Sequence, residues 1–338
     1  MKFESFTAYR NAWDSSDKID PPVPLNIDLE LAALCNLSCG SCSWGEAEFS
    51  TNMLHPANDG HAKKRLMPTE MAMRLIDESD DMGVPAIKLN FKGESTLHRD
   101  FTKIAEYAAT KNFHEILLNT NGNCSEKAID GMMSCTKVMV SLDAVDPELY
   151  PRVRTGGDYK TVIRTISELI RRKHKNLWIR RVVGILNKDE DFVSGVKTMF
   201  GKDVKVSEHF AFDRNKDFKV SVHGDNTAQW ERQYCTYPSV RLIVTAYGYI
   251  LPCCIMWGDE YVIGEYPGMS LAEAWKSSKL LFLRDSLRKN NLKNAPEICK
   301  NCTSFMAFKR PERRFVQDVE GKANLDSVNT KTECLSHS

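Results

Sequence analysis

Cys35, Cys39 and Cys42 bring three thiols into eight consecutive positions of the stretch LAALCNLSCGSCSW. A thiolate is a metal ligand, and three fall one short of the four that a structural zinc or a saturated iron–sulfur cluster takes. Two chemistries answer that shortfall. A zinc ion could complete its shell with His55 or His61, which follow in the sequence. A four-iron cluster could instead leave one iron without a protein ligand, open to a small molecule. A second group comes later: Cys235, the neighbours Cys253 and Cys254, and the C-x2-C pair Cys299 and Cys302. Cys235, Cys253, Cys299 and Cys302 make four thiolates, enough to saturate one cluster or one zinc ribbon. Cys124, Cys135 and Cys334 stand apart. The first two suit the role of small buried hydrophobes, and Cys334 falls in a polar tail.

The balance of the chain narrows the classes. With 46 basic against 45 acidic residues, a generic electrostatic grip on nucleic acid or an anionic membrane is not expected. No apolar run reaches the ~18 residues of a spanning helix. The opening stretch MKFESFTAYRNAWDSSDK lacks the apolar core of a secretory signal, so a cytoplasmic location is expected. In a reducing compartment, 11 cysteines are metal ligands or catalytic groups before they are disulfides.

The elements that must position these thiols alternate. LNIDLELA (25–32) has strand alternation. PTEMAMRLIDESDDMG (68–83) is a helix opening near Pro68–Thr69 and stopping at Gly83. AIKLNF (86–91) is a strand, DFTKIAEYAATK (100–111) a helix and HEILLNTNG (114–122) a strand ending in a turn. SEKAIDGMMS (125–134) is a helix capped by Ser125, and KVMVSLD (137–143) a strand. DYKTVIRTISELIRRK (158–173) puts Val162, Ile166, Leu169 and Ile170 on one helical face. LWIRRVVGIL (177–186), EDFVSGVKTMF (190–200) and DVKVSEHF (203–210) continue the alternation. About six strand–helix repeats argue for parallel pairing with helices outside, as an open sheet or an incomplete barrel. The first thiol group then follows the first strand, at the end of the sheet where α/β proteins bind ligands. Alternation also sends one of Arg180 and Arg181 inward, to hold a carboxylate or phosphate or to pair with Glu208.

After about residue 225 the pattern changes. VRLIVTAYGYILPCC (240–254) reads as a hairpin turning at Tyr247–Gly248 and stopped by Pro252. SLAEAWKSSKLLFLRDSLRKN (270–290) is one or two helices, and APEICKNC (295–302) a cysteine-bearing loop. The expected division is an N-terminal extension at 1–24, a core at 25–225, a cysteine-bearing domain at 226–310 and a polar tail at 311–338. Residues 45–66 read as a long insertion beside the first cysteines.

C-N-L-S-C-G-S-C directly after the first strand resembles the signature of radical S-adenosylmethionine (SAM) enzymes. The likeness extends over roughly 25–305. It implies a partial (β/α)6 TIM-like barrel in which Cys35, Cys39 and Cys42 hold a 4Fe–4S cluster, with the amino and carboxylate groups of SAM on the fourth iron. It further implies reductive cleavage of SAM to a 5′-deoxyadenosyl radical that abstracts a substrate hydrogen. An external one-electron reductant of the flavodoxin or ferredoxin type is the implied partner. KGES (92–95) stands where the family has Gly-Gly-Glu, so Gly93 and Glu94 are implied SAM contacts, and Lys92 is a departure. NTNG (119–122) stands where the family meets the nucleoside, which implicates Asn119 and Asn121. SLDAVDPELYPRVRTGG resembles the fourth-strand segment, which implicates Ser141, Asp143 and Arg154. Ser41 stands where an aromatic is usual, and Trp44 is expected to pack against adenine in its place.

PSVRLIVTAYGYILPCC, VIGE, SLAEAW and LRDSLR resemble the SPASM/twitch domain found behind many radical SAM cores. The resemblance implies a small α+β domain with a β-hairpin and one auxiliary 4Fe–4S cluster, held by Cys235, Cys253, Cys299 and Cys302. Gly248-x4-Cys spacing favours Cys253 over Cys254. The implied activity is oxidation of a small molecule such as a sugar or cyclitol, with the auxiliary cluster accepting an electron. A peptide- or protein-modifying maturase fits the same cysteines. A zinc-stabilised binding protein without turnover is the reading from a different class.

Overall fold

The computed structural model describes residues 3–16, 20–40, 42, 65–210, 231–232, 234–256, 261–300, 302 and 308–309. Helix α1 (Phe6–Asp14) opens on a Ser5 cap. Strand β1 (Asn26–Leu29) follows, then α2 (Thr69–Met82), β2 (Ala86–Lys88) and α3 (Phe101–Ala109). The alternation continues through β3 (Glu115–Thr120), α4 (Glu126–Met133), β4 (Lys137–Ser141), α5 (Tyr159–Arg171), β5 (Leu177–Val183), α6 (Phe192–Phe200) and β6 (Lys205–Phe210). Strands β1 to β6 pair parallel in chain order. Three more strands, β7 (Arg241–Val244), β8 (Tyr249–Leu251) and β9 (Gly264–Glu265), extend the other side of β1. Two helices, α7 (Leu271–Lys276) and α8 (Ser278–Arg288), complete the labelled elements.

The expected helices and strands form where local chemistry asks for them. In α2 the apolar positions Met71, Ala72, Leu75 and Ile76 recur at helical spacing and are buried. Gly83, at φ 76°, closes that helix by donating to Ser79 and Asp80 carbonyls. Ser125 caps α4 by accepting from Ala128 N, and Asp158 caps α5 by accepting from Thr161 N. Val162, Ile166 and Leu169 of α5 are fully buried. The sheet's outer face meets these helices through Ile27, Leu29, Ile87, Ile116, Leu118, Val138, Val140 and Ile179. Each such side chain contributes about 1.5–3 kcal/mol on burial.

The sheet is one open surface of nine strands, with β6 and β9 at its edges. This fits the partial barrel that the family resemblance implied, where the repeats alone left an open sheet equally possible. The hairpin expected in the second domain is continuous with it: β7 lies parallel to β1, in register Asn26 to Arg241 and Leu29 to Val244. The reason is backbone pairing. Leu25 N donates to Val240 O at 2.8 Å and Glu30 N to Val244 O at 2.9 Å, so the first strand's otherwise open edge is satisfied.

The N-terminal stretch, expected only as an extension, contributes α1. Its Tyr9 packs against Leu25, Ala86 and Val240 at the strands' N-terminal ends and donates to Glu115 Oε2 at 3.0 Å. Burial, then Glu115's charge, raises the Tyr9 phenol. The expected tail at 311–338 lies outside the described residues. So does most of the 45–66 insertion, whose end Arg65–Leu66 pairs antiparallel with Ala32–Ala33. Among the described residues no helix is long and apolar enough to cross a membrane.

Candidate functional site

The cysteine loop leaves the C-terminal end of β1 and is stitched to three other strand ends. Leu34 O accepts from Glu94 N at 2.7 Å, beyond β2. Asn36 Nδ2 donates to Asn123 O at 2.8 Å, and Asn36 Oδ1 accepts from Asn121 Nδ2 at 2.9 Å, beyond β3. Ser38 N donates to Thr155 O at 2.8 Å, in the segment after β4. Cys39 is buried, Cys35 half-buried and Cys42 exposed. Leu37 N donates to Cys35 Sγ at 3.4 Å, and Cys42 N to Cys39 O at 3.0 Å. Burial pushes the Cys35 thiol up to about 11, and the charges of Glu94, Cys39 and Cys42 add to the rise. Three thiolates in one neighbourhood repel each other, so they need positive charge to stay deprotonated together.

Glu94 is the hub of this end of the sheet. Its Oε1 accepts from Thr96 N, Thr96 Oγ1 and Thr120 Oγ1 at 3.2, 2.7 and 2.8 Å. Its Oε2 accepts from Asn121 N at 2.7 Å. The carboxylate thus ties β2's end to β3's end. Gly93 has φ 65°, and a Cβ there would lie 2.2 Å from Ala32 O. Lys92, the departure from the family pattern, is buried with its ammonium 4.5 Å from the Phe91 ring centroid. Burial raises the nearby Glu30 carboxyl, and Lys92's charge opposes the rise. The positive-φ position is 93 and not 92, which is why a side chain is tolerated at 92.

Asp143 ends β4 in a left-handed conformation, φ 63°. Its Oδ1 accepts from Val182 N at 2.8 Å, and its Oδ2 lies 2.8 Å from Arg154 Nε. Arg154 Nη1 in turn donates to Cys39 Sγ at 3.6 Å. Burial opposes the guanidinium's charge, but Asp143 and Cys39 more than offset this and hold it protonated. Arg154→Gln should destabilise the apo chain by about 3–5 kcal/mol, because Asp143 loses its buried partner. Urea unfolding measures it, and an unchanged midpoint would refute the pairing.

Ser141 is half-buried on the concave face of the sheet. Asn119 N donates to Asn90 Oδ1 at 2.8 Å. Asn119 Oδ1 and Ser95 Oγ are buried with no hydrogen-bond partner among the described residues. Unsatisfied buried polar atoms at a strand-end mouth suit a polar ligand. The structure therefore brings Cys35, Cys39, Gly93, Glu94, Asn121, Asp143 and Arg154 into one bonded network. Ser141 and Asn119 stand beside it on the same face. Ser41, Trp44, His55 and His61 lie outside the described residues. Sequence reasoning did not single out Asn36, Asn123 and Tyr150. Asn123 Nδ2 donates to Tyr150 Oη at 2.7 Å, and its Oδ1 accepts from Asp158 N at 2.6 Å. The clue was asparagine recurring in CNLSC and NTNGN, where short amides can bond nearby backbone.

The later cysteines also gather. Cys253 lies buried among Ile255, Met256, Leu283 and Leu287, with Cys235, Cys254, Cys299 and Cys302 packed against that cluster. Burial pushes the Cys235 thiol up to about 12, and Cys302, Cys299 and Cys254 add to it. A hydrogen bond with Cys253 pulls the Cys254 thiol down, against burial and with help from Arg241. Arg241 Nη1 lies 3.3 Å from the buried Asp28 Oδ2, so Cys254 faces the ion pairs on β1 and β7. Among the described residues no group of three or more His, Cys, Asp or Glu is set to hold a single metal ion. In donor type both sets are thiols, the ligands that iron–sulfur clusters take.

Residues 29–197 match the radical SAM superfamily, and residues 235–303 match SPASM, an iron-sulfur cluster-binding domain. A probable GTP 3′,8-cyclase of Methanococcus maripaludis is 29% identical over 144 residues, 42% of this chain and 44% of that protein. An S-adenosyl-L-methionine-dependent 2-deoxy-scyllo-inosamine dehydrogenase of Niallia circulans is 25% identical over 165 residues, 47% of this chain and 62% of that protein. The chain thus spans less than two thirds of the length of these curated relatives. Streptococcus suis SuiB bound to precursor peptide SuiA shares the fold, with TM-score 0.61 at 14% identity over 88% of this chain and 73% of that one. With half its length matched to one family and the cysteine-bearing hairpin region to another, the chain belongs to the radical SAM superfamily, carries a C-terminal SPASM domain, and has SAM and 4Fe–4S clusters as its cofactors.

Proposed function

We propose that the chain is an oxidoreductase acting on a small molecule. Cys35, Cys39 and Cys42 would hold the SAM-binding cluster, and Cys235, Cys253, Cys299 and Cys302 the auxiliary one. When bound, these groups supply a 5′-deoxyadenosyl radical that removes a substrate hydrogen and an acceptor for the electron left behind. The chain's own work is positioning. Arg154, braced by Asp143, sets a fixed cation beside Cys39. Glu94 and Asn36 lock the cysteine loop to β3, so the loop cannot drift from the strand ends. Asn119, Asn121 and Ser141 offer amide and hydroxyl groups to SAM, and Gly93 lets the chain pass close behind the loop. A flavodoxin- or ferredoxin-type protein is the proposed electron donor.

One observation supports an electron-accepting auxiliary cluster: four protein thiols besides Cys254 gather in the second set. A cluster with four protein ligands has no open iron for substrate, which leaves electron transfer as the chemistry it can offer the reaction. The two sets leave the shared sheet at opposite ends: Cys35 follows the C-terminal end of β1, whereas β8 runs antiparallel to β7 and returns Cys253 to the level of Arg241 and Asn26. The relatives' names, GTP cyclase and inosamine dehydrogenase, both designate small molecules.

Anaerobic reconstitution tests the reading. The chain should take up about eight irons and show two reduced-cluster signals by electron paramagnetic resonance. Cys299→Ser should lose about four irons and one signal, still form 5′-deoxyadenosine, and fail to complete substrate oxidation. The first compound to try is 2-deoxy-scyllo-inosamine. Oxidation at the wild-type rate by Cys299→Ser would defeat the electron-acceptor role.

A further inference from the structure

Asp28, Lys88 and Arg241 form a charged group inside the sheet that the proposed chemistry does not yet use. On β7, Leu242 and Val244 belong to the helix-side core, so alternation turns Arg241 and Ile243 to the concave face. On β1, Ile27 and Leu29 belong to that core, so Asn26 and Asp28 share the concave face. Asp28 is fully buried. Its Oδ1 accepts from Asn26 Nδ2, and its Oδ2 lies 3.3 Å from Arg241 Nη1 and 3.8 Å from Lys88 Nζ. One carboxylate thus faces two cations, and the group keeps a net positive charge.

Register brings thiols to it. Ile243 of β7 stands opposite Leu251 of β8, and two residues further along each strand Cys253 comes level with Arg241. A step of two keeps both side chains on the face of Ile243 and Leu251. Tyr237 makes a second link. Its ring centroid lies 4.6 Å from Arg241 Cζ, and the ring packs against the cluster of buried residues around Cys253. Trp13 of α1 covers the guanidinium at 5.6 Å. Burial opposes the charge on Arg241, but Asp28 first, then Cys254, Tyr237 and Cys253, more than offset this. One N–H is left over. Arg241 Nε is buried with no hydrogen-bond partner among the described residues. A buried donor in that state is costly and calls for an acceptor, and the sulfurs of an iron–sulfur cluster are acceptors.

We infer that Arg241, braced by Asp28, donates its Nε–H to a sulfur of the auxiliary cluster and raises that cluster's reduction potential. A cluster on four thiolates is anionic and becomes more so when it takes up an electron. A fixed cation and a hydrogen bond to sulfur therefore favour the reduced form. The aromatic cover of Trp13 and Tyr237 keeps water off the guanidinium, which strengthens the effect. The cation makes the cluster a better acceptor for the electron that the substrate radical gives up. This deepens the proposed function and rests on it.

The test is a redox titration of the anaerobically reconstituted holoenzyme, followed by electron paramagnetic resonance. Arg241→Met removes the charge and the N–H together. Its auxiliary cluster should favour the oxidised form at least about tenfold more than the wild type does, a midpoint about 59 mV lower for a one-electron couple. Arg241→Lys keeps the charge without the Nε–H and should fall between the two. The SAM-binding cluster, read in the same samples, should keep its midpoint. An unchanged auxiliary midpoint in Arg241→Met overturns the inference. So does an equal fall at both clusters, since that reports a general loosening of the fold. Where Arg241→Met fails to load, the wild type decides: with heavy-nitrogen arginine incorporated, the reduced auxiliary signal should show that isotope's coupling, and its absence overturns the inference. Wild-type iron content separates the two failures. About eight irons leave the parent reading standing, and about four remove it.

Discussion

Cys39→Ala should end 5′-deoxyadenosine formation. Of the first three thiols, Cys39 is the buried one and the one that Arg154 faces at 3.6 Å. Alanine removes a ligand from a set that has none to spare and leaves the guanidinium with Asp143 alone. Loss of a mere outer-shell partner costs a metal site about 10–100-fold, so loss of a ligand should cost more than about 100-fold in SAM cleavage. Iron content should drop from about eight to about four per chain. Cys135→Ala is the control. That thiol is buried in the helix-side core, its Sγ 3.8 Å from Gly131 O, and burial pushes it up to about 12. Its loss should lower stability and leave the iron count and SAM cleavage intact. If Cys39→Ala cleaves SAM as fast as the wild type, the first thiol set has been misassigned.

The strand–helix alternation was legible because burial on one side writes a period into the sequence. Leu75 and Ile76 of α2, or Val162, Ile166 and Leu169 of α5, read as helix faces, and each proved buried. The thiol groups were legible because cysteine is chemically distinct and its spacing survives without any tertiary knowledge. Less visible was the joining of β7 to β1. Nothing in RLIV says whether its partner lies eight residues away or two hundred, because backbone pairing carries no side-chain code. Helix α1 was missed for a related reason. Its main anchor is the single side chain of Tyr9, bonded to Glu115, and one residue makes no period.

The sorting of the two arginines needed structure as well. Alternation required that one face inward but gave no phase. The phase came from Glu190 and Glu208, which hold Arg181 on the helix side. Glu94 shows the opposite limit. KGES was read as the end of a strand over 86–91, but β2 stops at Lys88 and Glu94 caps the short turn at Ser95–Leu97. Its carboxylate, however, already accepts four hydrogen bonds from Thr96, Thr120 and Asn121. Any contact it makes with SAM is added to a bracing role that no motif spells out.

Gly93→Ala should detach the cysteine loop from the sheet. The methyl group would lie 2.2 Å from Ala32 O, 2.5 Å from Leu34 O and 2.9 Å from Leu34 N. All three are backbone atoms, so no rotamer change relieves the clash. The residue also sits at φ 65°, where an L side chain costs about 1–2 kcal/mol before any contact is counted. Overpacking adds about 1–3 kcal/mol, for a total near 2–5 kcal/mol. The chain can relax most cheaply by moving residues 32–35, which breaks the bond from Glu94 N to Leu34 O and shifts Cys35. Iron should therefore be lost from the first site alone, leaving about four per chain with the auxiliary signal intact. Gly40→Ala is the matched comparison. It lies next to Cys39, yet an added Cβ meets nothing within 4 Å. That variant should keep about eight irons and wild-type SAM cleavage. Equal iron loading in the two glycine variants would mean that the close passage of residue 93 behind the loop does not hold the thiols in place.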